Sequence, residues 1–294
     1  MKKIIFILAL LSVFSCDYID EPLTPEEGGA GDCVIPTFPT NTNTKRNVLV
    51  EDFTGHLCNN CPSAAYTIDT IKSNIGSQVI PVAIHVTAQF AAPKTSGTKY
   101  RTDFQTLGGD AIKLNFAPSA GLPSMMASRI DTFNSPAKFN LSIYTISSAV
   151  RKLIDDSPVV NMQIIASFDA TKNEVCAYSE MEVLQTLNDD HSIVYMLLED
   201  SVVDWQLYNG SGGNPIYTAG DIPNYVHKHV LRKSMNGWEG KKILTSTNVI
   251  GDKIIEGSSF TVTNSTWRTN HLEVVAFVYN NRTKEVMQVV KAKL

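Results

Sequence analysis

The sequence has few long hydrophobic runs, and beyond its first residues none approaches the roughly 20 apolar residues that a membrane-spanning helix requires. It has no P-loop, no dinucleotide-binding glycine fingerprint and no nucleophile elbow, which excludes the enzyme classes built on those motifs. The formal net charge is −4 and no basic patch is present, so nucleic-acid binding is disfavoured. Only five cysteines occur in 294 residues, and they are the main candidates for chemistry.

The first 16 residues have the form of a bacterial secretion signal. Lys2 and Lys3 are followed by a short apolar run over residues 4–13, and the segment ends with a small residue before Cys16. The run is too short to span a membrane, and its end resembles a lipobox. Residues 1–16 are then a lipoprotein signal peptide, and Cys16 is the lipidation site that attaches the mature chain to a membrane through acyl chains such as palmitate. An ordinary cleaved signal with an incidental Cys16 is the alternative.

Residues 17–46 have the composition of a flexible tether, because they are rich in acidic residues, proline, glycine, threonine and asparagine. The acidic start resembles the surface-export signal of some anaerobic Gram-negative lipoproteins. In other bacteria, Asp directly after the lipid cysteine retains a lipoprotein at the inner membrane. Cys33 lies in this tether and could pair with Cys176 outside the cytoplasm, although two separate free thiols are the simpler expectation.

The strongest motif begins with the β-branched and apolar run of residues 48–53, which predicts a strand. Cys58 and Cys61 follow, and then an apolar pattern of helical spacing that ends at Gly76. A second apolar run over residues 79–86 predicts the next strand. Together these segments predict a βαβ unit with a dithiol at the start of its helix, where the macrodipole would lower the pKa of the first cysteine.

This unit resembles the thioredoxin family, since Asp52 and Phe53 match the buried acid and Phe at the end of its strand before the CxxC motif. The resemblance implies that Cys58 attacks, Cys61 resolves the mixed disulfide and Asp52 accepts the resolving proton. It also implies a cis-proline facing the dithiol, for which Pro123 is the best candidate.

The sequence departs from the thioredoxin pattern at two places. Leu57 replaces the usual aromatic residue, and Asn59-Asn60 replaces Gly-Pro. Three interpretations of the cysteine pair therefore stay open, namely a redox-active dithiol, a permanently oxidised pair and a zinc half-site.

The second half of the chain changes from helical to strand periodicity. Apolar residues at helical spacing over 139–154 predict a last helix, after which seven short segments alternate with polar turns. We therefore predict an α/β thioredoxin-like domain over residues 47–157, followed by an all-β immunoglobulin-like sandwich over residues 158–294. The seven expected strands are residues 159–168, 174–184, 191–198, 227–234, 259–266, 272–279 and 285–292.

Three further features have competing interpretations. Residues 201–225 form a long segment rich in glycine and aromatic residues, expected to be irregular and either a binding loop or a self-packed cover. His227 and His229 would share one face of a strand, where an outward-facing polar pair is favoured over a metal site. His56 could stabilise the Cys58 thiolate, although a solvated loop histidine is the commoner outcome.

A second resemblance covers nearly the whole mature chain. Together with the lipobox and the CxxC unit, two segments resemble an outer-membrane lipoprotein family named for a twenty-eight-kilodalton member. These segments are Leu198-Glu199-Asp200-Ser201-Val202-Val203-Asp204-Trp205-Gln206 and Tyr225-Val226-His227-Lys228-His229-Val230-Leu231-Arg232.

The second resemblance implies a location more than a reaction. We expect an outer-membrane protein, anchored through Cys16 and facing the periplasm or the cell surface, without a cofactor or resident metal. Thiol–disulfide exchange with protein clients or a redox donor is the activity that we expect first. A non-catalytic surface, adhesion or assembly lipoprotein, in which both domains are binding scaffolds, is the alternative.

Overall fold

The computed structural model describes residues 30–117, 119–134 and 139–294, so the predicted signal peptide and Cys16 lie outside the described residues. The fold is mixed α/β, with mostly strands and few helices. No helix within these ranges is long and apolar enough to cross a membrane. The helices are α1 (Cys61–Ile75), α2 (Ala88–Ala91), α3 (Leu107–Phe116) and α4 (Ile146–Leu153), with a 3-10 turn at Thr269–His271. The strands are β1 (Val48–Thr54), β2 (Val79–His85), β3 (Ser124–Ala127), β4 (Val160–Asp169), β5 (Glu174–Val183), β6 (His191–Glu199), β7 (Val202–Tyr208), β8 (Gly220–His227), β9 (Val230–Ser234), β10 (Lys241–Leu244), β11 (Lys253–Thr261), β12 (Leu272–Asn280) and β13 (Val286–Lys293).

The predicted βαβ unit is confirmed. β1 and β2 are parallel, α1 connects them, and its last turn ends at Gly76, whose positive φ of 93° suits glycine. β3 pairs antiparallel with the other edge of β1, and the Leu122–Pro123 peptide bond before β3 is cis, as the thioredoxin resemblance implies. The apolar side of α1 packs on β1 in a core that also includes α4.

Strands from both predicted domains share one sheet, in the order β13-β12-β6-β9-β2-β1-β3, with β10 also paired to β6. The two halves meet through β2 and β9, whose register contains the single pair Ala83↔Val230. The Ala83 N–H donates to the His229 carbonyl, so Pro81, two residues earlier, faces the same edge. Proline has no N–H, so the ladder cannot extend from Ala83 towards the start of β2. The domain boundary at residue 157 stays a prediction.

A second layer covers the C-terminal half of this sheet. β11, β5 and β4 form a three-stranded antiparallel sheet, and their apolar side chains share a core with β6, β12 and β13. The structure thus shows two packed sheets, while an immunoglobulin-like topology stays a prediction.

Residues 201–225 were wrongly expected to be irregular. They contain β7 and most of β8, which form a separate two-stranded hairpin. The predicted strand over 227–234 is also wrong at its start, because His227 ends β8 and His229, with a φ of 53°, lies in the turn before β9.

Of the predicted tether, residues 17–29 lie outside the described residues, and residues 30–46 are held against the body of the protein by a disulfide and by hydrogen bonds. Cys33 forms a disulfide with Cys176 of β5, against the expectation of two free thiols. Beyond it, the amide groups of Asn161 and Gln163 in β4 donate to the carbonyls of Asn43 and Pro39. We call residues 33–47 the strap. Its backbone carbonyls accept hydrogen bonds from side chains of β4, and composition alone does not predict such long-range contacts.

Candidate functional site

Cys58 and Cys61 are joined in a disulfide, with their Cα atoms 5.4 Å apart. Each cysteine is only 2% exposed. α1 begins at Cys61, after Asn60 as its N-cap and with Pro62 in its first turn, as the sequence predicts for Pro62. Cys58 precedes the helix and accepts a hydrogen bond from the Cys61 N–H at 3.3 Å. Cys58 therefore lies two residues before the N-cap, and the pair is at the start of the helix as the sequence predicts.

The β7–β8 hairpin covers this disulfide. The Leu207 N–H donates to the His56 carbonyl, and the Asn209 N–H donates to the Asn59 carbonyl, both at 2.9 Å. Between them, the Gln206 amide nitrogen donates to the Cys58 carbonyl at 3.0 Å. Gln206 is itself only 2% exposed. The CxxC loop thus uses its backbone carbonyls to hold a strand from the other half of the chain.

The loop after β7 extends the cover over the first turn of α1. Asn214 donates to the Pro62 carbonyl at 2.9 Å, and the Ser63 hydroxyl donates to the Ser211 carbonyl at 2.6 Å. Gly212 has a φ of 81°, and a Cβ there would lie 2.6 Å from the Ser63 Oγ atom. Only glycine permits both this backbone conformation and this close approach.

Asp52 lies behind the disulfide. It is 4% exposed, its Oδ1 atom has no hydrogen-bond partner among the described residues, and burial raises its pKa to about 7. A small cavity of about 30 Å³ is lined by both Asp52 and Cys61, and a larger pocket of about 340 Å³ opens on Asp52 as well. The structure therefore brings together Asp52 and Cys61, as the thioredoxin resemblance implies.

Pro123 lies at the same end of β1 as the disulfide. The register pairs Phe53 with Ser124, so Pro123 lies beside the last residue of β1, from which the CxxC loop leaves. The role of Pro123 in catalysis stays a prediction, as do the roles of Cys58, Cys61 and Asp52.

Three buried histidines surround Phe104 next to the site. The rings of His56, His85 and His227 lie 5.2, 4.3 and 4.7 Å from the Phe104 ring, measured between centroids. Burial lowers the pKa of His56, holds that of His85 well below its usual range and lowers that of His227 to about 3. All three are therefore neutral near pH 7.

Two expectations about histidines are thus wrong. His56 is fully buried and not solvated, since its Nε2 atom lies 3.0 Å from the Ala92 carbonyl oxygen and aromatic rings pack against it. His227 and His229 are buried as well, not an outward-facing pair. The turn between β8 and β9 breaks the period of two on which that expectation depended.

The zinc half-site interpretation also fails, because the Cys58 and Cys61 sulfurs are bonded to each other. In the described ranges, one group of potential metal ligands clusters tightly, namely Cys33, Glu174 and Cys176. Two of its members form a disulfide, which leaves no thiolate for a metal.

Sequence reasoning missed the hairpin, His85 and Gln206 as parts of the site. A signal for the hairpin was present, since residues 202–208 are rich in β-branched and aromatic residues and the glycines lie between the two strands. No local pattern shows that this hairpin lies on the CxxC loop, which is about 150 residues away in sequence.

Fold and site together define a mixed α/β protein in which a CxxC disulfide is covered by a hairpin from its second half. The structure is similar to HBP35 of Porphyromonas gingivalis, with a TM-score of 0.59 and 15% identity over 86% of this chain and 77% of that chain. At this identity the likeness shows the fold alone. A domain of the outer membrane lipoprotein Omp28 from Porphyromonas gingivalis is 21% identical over 46% of this chain and 95% of that chain, with a TM-score of 0.31.

No curated protein matches the sequence. The family model described as outer membrane protein Omp28 matches residues 110–294, and the chain therefore belongs to the Omp28 family. This confirms the resemblance to the family named for its twenty-eight-kilodalton member. It also supports the predicted location at the outer membrane.

Proposed function

We propose that this chain is a non-catalytic outer-membrane lipoprotein whose body is a binding scaffold and whose Cys58–Cys61 bond is a structural disulfide. The observation that carries this proposal is the covered state of the pair. Each cysteine is 2% exposed, and β7 is hydrogen-bonded across the CxxC loop. This inverts the expectation that thiol–disulfide exchange is the main activity.

The physical argument is one of access. In disulfide exchange an incoming thiolate attacks one sulfur and forms a mixed disulfide, so a client chain must reach that sulfur. Here the backbone of residues 206–209 occupies the space beside the CxxC loop, where a client would otherwise bind. Exchange would require the hairpin to leave, with the loss of these hydrogen bonds and of the packing around Tyr208 and Tyr225.

Thiol–disulfide exchange after hairpin opening is the second candidate, and Asp52 is the observation that favours it. A buried carboxyl with a pKa of about 7, sharing a cavity with Cys61, can take up or release a proton at neutral pH. If this candidate holds, Cys58 is the attacking sulfur, Cys61 resolves the mixed disulfide and Pro123 faces the pair.

Graded reduction followed by alkylation distinguishes the two candidates. Cys33 and Cys176 are both partly exposed, so a scaffold should release these thiols first and keep Cys58 and Cys61 oxidised until the hairpin opens. Peptide mapping by mass spectrometry gives the order. Earlier labelling of Cys58, together with insulin reduction that is lost in Cys58→Ala, would establish exchange and overturn the scaffold proposal.

The anchor is proposed on the sequence alone. Acylation of Cys16 would hold the protein at the outer membrane, with the body on either the periplasmic or the surface side. Metabolic labelling with palmitate should mark the native chain and not Cys16→Ala. Protease treatment of intact cells would then distinguish the two sides, because only a surface-facing body is cleaved.

A further inference from the structure

The larger pocket, of about 340 Å³, lies between α1, β2 and the β7–β8 hairpin. Its size is within the range of small-molecule sites. It forms where the β2–β9 ladder stops at Pro81, so the sheet opens beside the first turns of α1. Ile216 and Val226, which are 65% and 38% exposed, lie at its wall and leave apolar surface in contact with solvent.

Three tyrosines line this pocket, namely Tyr66, Tyr217 and Tyr225. The rings of Tyr217 and Tyr225 are 5.2 Å apart and inclined at 45°, so they form a bent aromatic wall. Aromatic faces carry negative electrostatic potential and attract organic cations. The aromatic lining therefore favours a ligand that combines a ring with a positive charge.

The charged groups around the pocket also favour a positively charged ligand. Asp69 is paired with Lys228 at 2.7 Å, which leaves their mutual charge balanced. His229 accepts from the Lys72 ammonium group through Nε2 at 3.1 Å, because an ammonium group can only donate. Asp52 alone among the lining acids has no ion-pair partner in the described part of the chain, and its Oδ1 atom is without a hydrogen bond.

We propose that this pocket binds a small aromatic amine in its ammonium form, with the ring against Tyr217 and Tyr225 and the charged nitrogen directed at Asp52. The pocket supplies an apolar enclosure, an aromatic wall and one uncompensated carboxyl. A ligand ammonium would give Asp52 the partner that the protein itself does not provide, and a buried carboxylate without a partner is costly. This site does not depend on whether the disulfide is structural or redox-active.

Phenethylamine and 2-phenylethanol are matched probes, because they share a ring and differ in the charged group. Calorimetry with the purified full-length protein, at mildly alkaline pH, should show phenethylamine binding about tenfold or more tightly than 2-phenylethanol. Asp52→Asn should remove this preference and leave 2-phenylethanol binding in place. Asp155→Asn, which removes an exposed carboxylate outside the pocket lining, is the control and should keep the preference.

Three results would overturn the proposal. The first is equal affinity for the two probes, and the second is an absence of binding by either. The third is binding of N-acetyl-lysine amide as tightly as phenethylamine, because that would remove the requirement for a ring. If Asp52→Asn does not fold, Tyr217→Ala provides the test. It should weaken phenethylamine binding about tenfold, and unchanged affinity would contradict the aromatic wall.

Discussion

The Cys33–Cys176 disulfide joins residues 143 positions apart, whereas the Cys58–Cys61 disulfide joins residues three apart. The long-range bond attaches the strap to β5 and is partly exposed. The short-range bond is buried beneath the β7–β8 hairpin and restricts only one turn of the chain. A cysteine pair in a CxxC motif can thus be the buried disulfide of a protein. A cysteine in a segment with tether composition can form the disulfide that joins distant parts of the chain.

Removing the long-range disulfide should produce the largest loss of stability. A cross-link between distant residues restricts the unfolded chain strongly, so Cys33→Ala/Cys176→Ala should lower the free energy of unfolding by about 3–5 kcal/mol. Urea denaturation of both proteins measures this. The strap still has hydrogen bonds to Asn161 and Gln163, so the variant should fold, with an unchanged circular dichroism spectrum. A loss below about 1 kcal/mol would show that the strap is already ordered in the unfolded ensemble.

Acid should destabilise the protein through the buried histidines beside the short-range disulfide. Burial lowers the pKa of His227 from about 6.5, its ordinary value in an unfolded chain, to about 3 in the folded protein. The unfolded state therefore binds more protons between these pH values, and stability is lost as the pH falls below about 6.5. His227 alone should account for about 3 kcal/mol of this loss near pH 4, measured as the difference between the native chain and His227→Gln in urea denaturation across pH.

His227→Gln is the control for this acid effect, because it cannot be protonated and should flatten the pH dependence. Asp52 acts in the opposite direction, since its pKa is raised from 3.8 to about 7 and its folded form holds a proton that the unfolded form releases. Asp52→Asn should therefore make the acid loss steeper. Equal pH profiles for the native chain and His227→Gln would contradict the assignment.

Removing the short-range disulfide should cost less than removing the long-range one. Only a short loop is closed, so Cys58→Ala/Cys61→Ala should lower the free energy of unfolding by about 2 kcal/mol or less. Urea denaturation of this variant and of Cys33→Ala/Cys176→Ala, under the same conditions, gives the difference in free energy of unfolding between the two disulfides. If both double variants lose the same free energy of unfolding, then packing under the hairpin, and not loop closure, determines how much the Cys58–Cys61 disulfide stabilises the fold.

The parts that could be predicted from sequence are those set by local periodicity. The run at residues 48–53, the helix ending at Gly76 and the strand after it each follow a period that a few neighbouring residues fix. The cis bond before Pro123 came from family resemblance, because nothing local distinguishes it from other X–Pro bonds.

The rest depends on contacts between distant residues. The burial of His56 results from Phe104 and the hairpin, and that of His227 from Phe104 and His85, all of which come from other parts of the chain. The strap was missed because its composition is polar, while its order comes from one disulfide and from side chains of β4. For the same reason, the covered state of Cys58 could not be read from its motif.

The change with the smallest expected effect on stability tests whether the β7–β8 hairpin protects the Cys58–Cys61 disulfide. Gln206 donates from one amide group to the carbonyls of Cys58 and Leu207, so Gln206→Ala should cost about 1–2 kcal/mol. It should also make Cys58 and Cys61 react with reductant and alkylating agent sooner, while the labelling of Cys33 is unchanged. Mass mapping of labelled peptides over time gives both rates in one experiment.

Gln288→Ala is the matched control for this last change. Gln288 is also a buried glutamine, but it binds the strap, donating to the Lys45 carbonyl at 3.0 Å and accepting from the Asn47 N–H at 2.8 Å. It should cost a similar free energy without changing the reactivity of Cys58. If both variants speed the labelling of Cys58 equally, the pair becomes reactive through global unfolding. If only Gln206→Ala does so, the hairpin alone controls access to the disulfide.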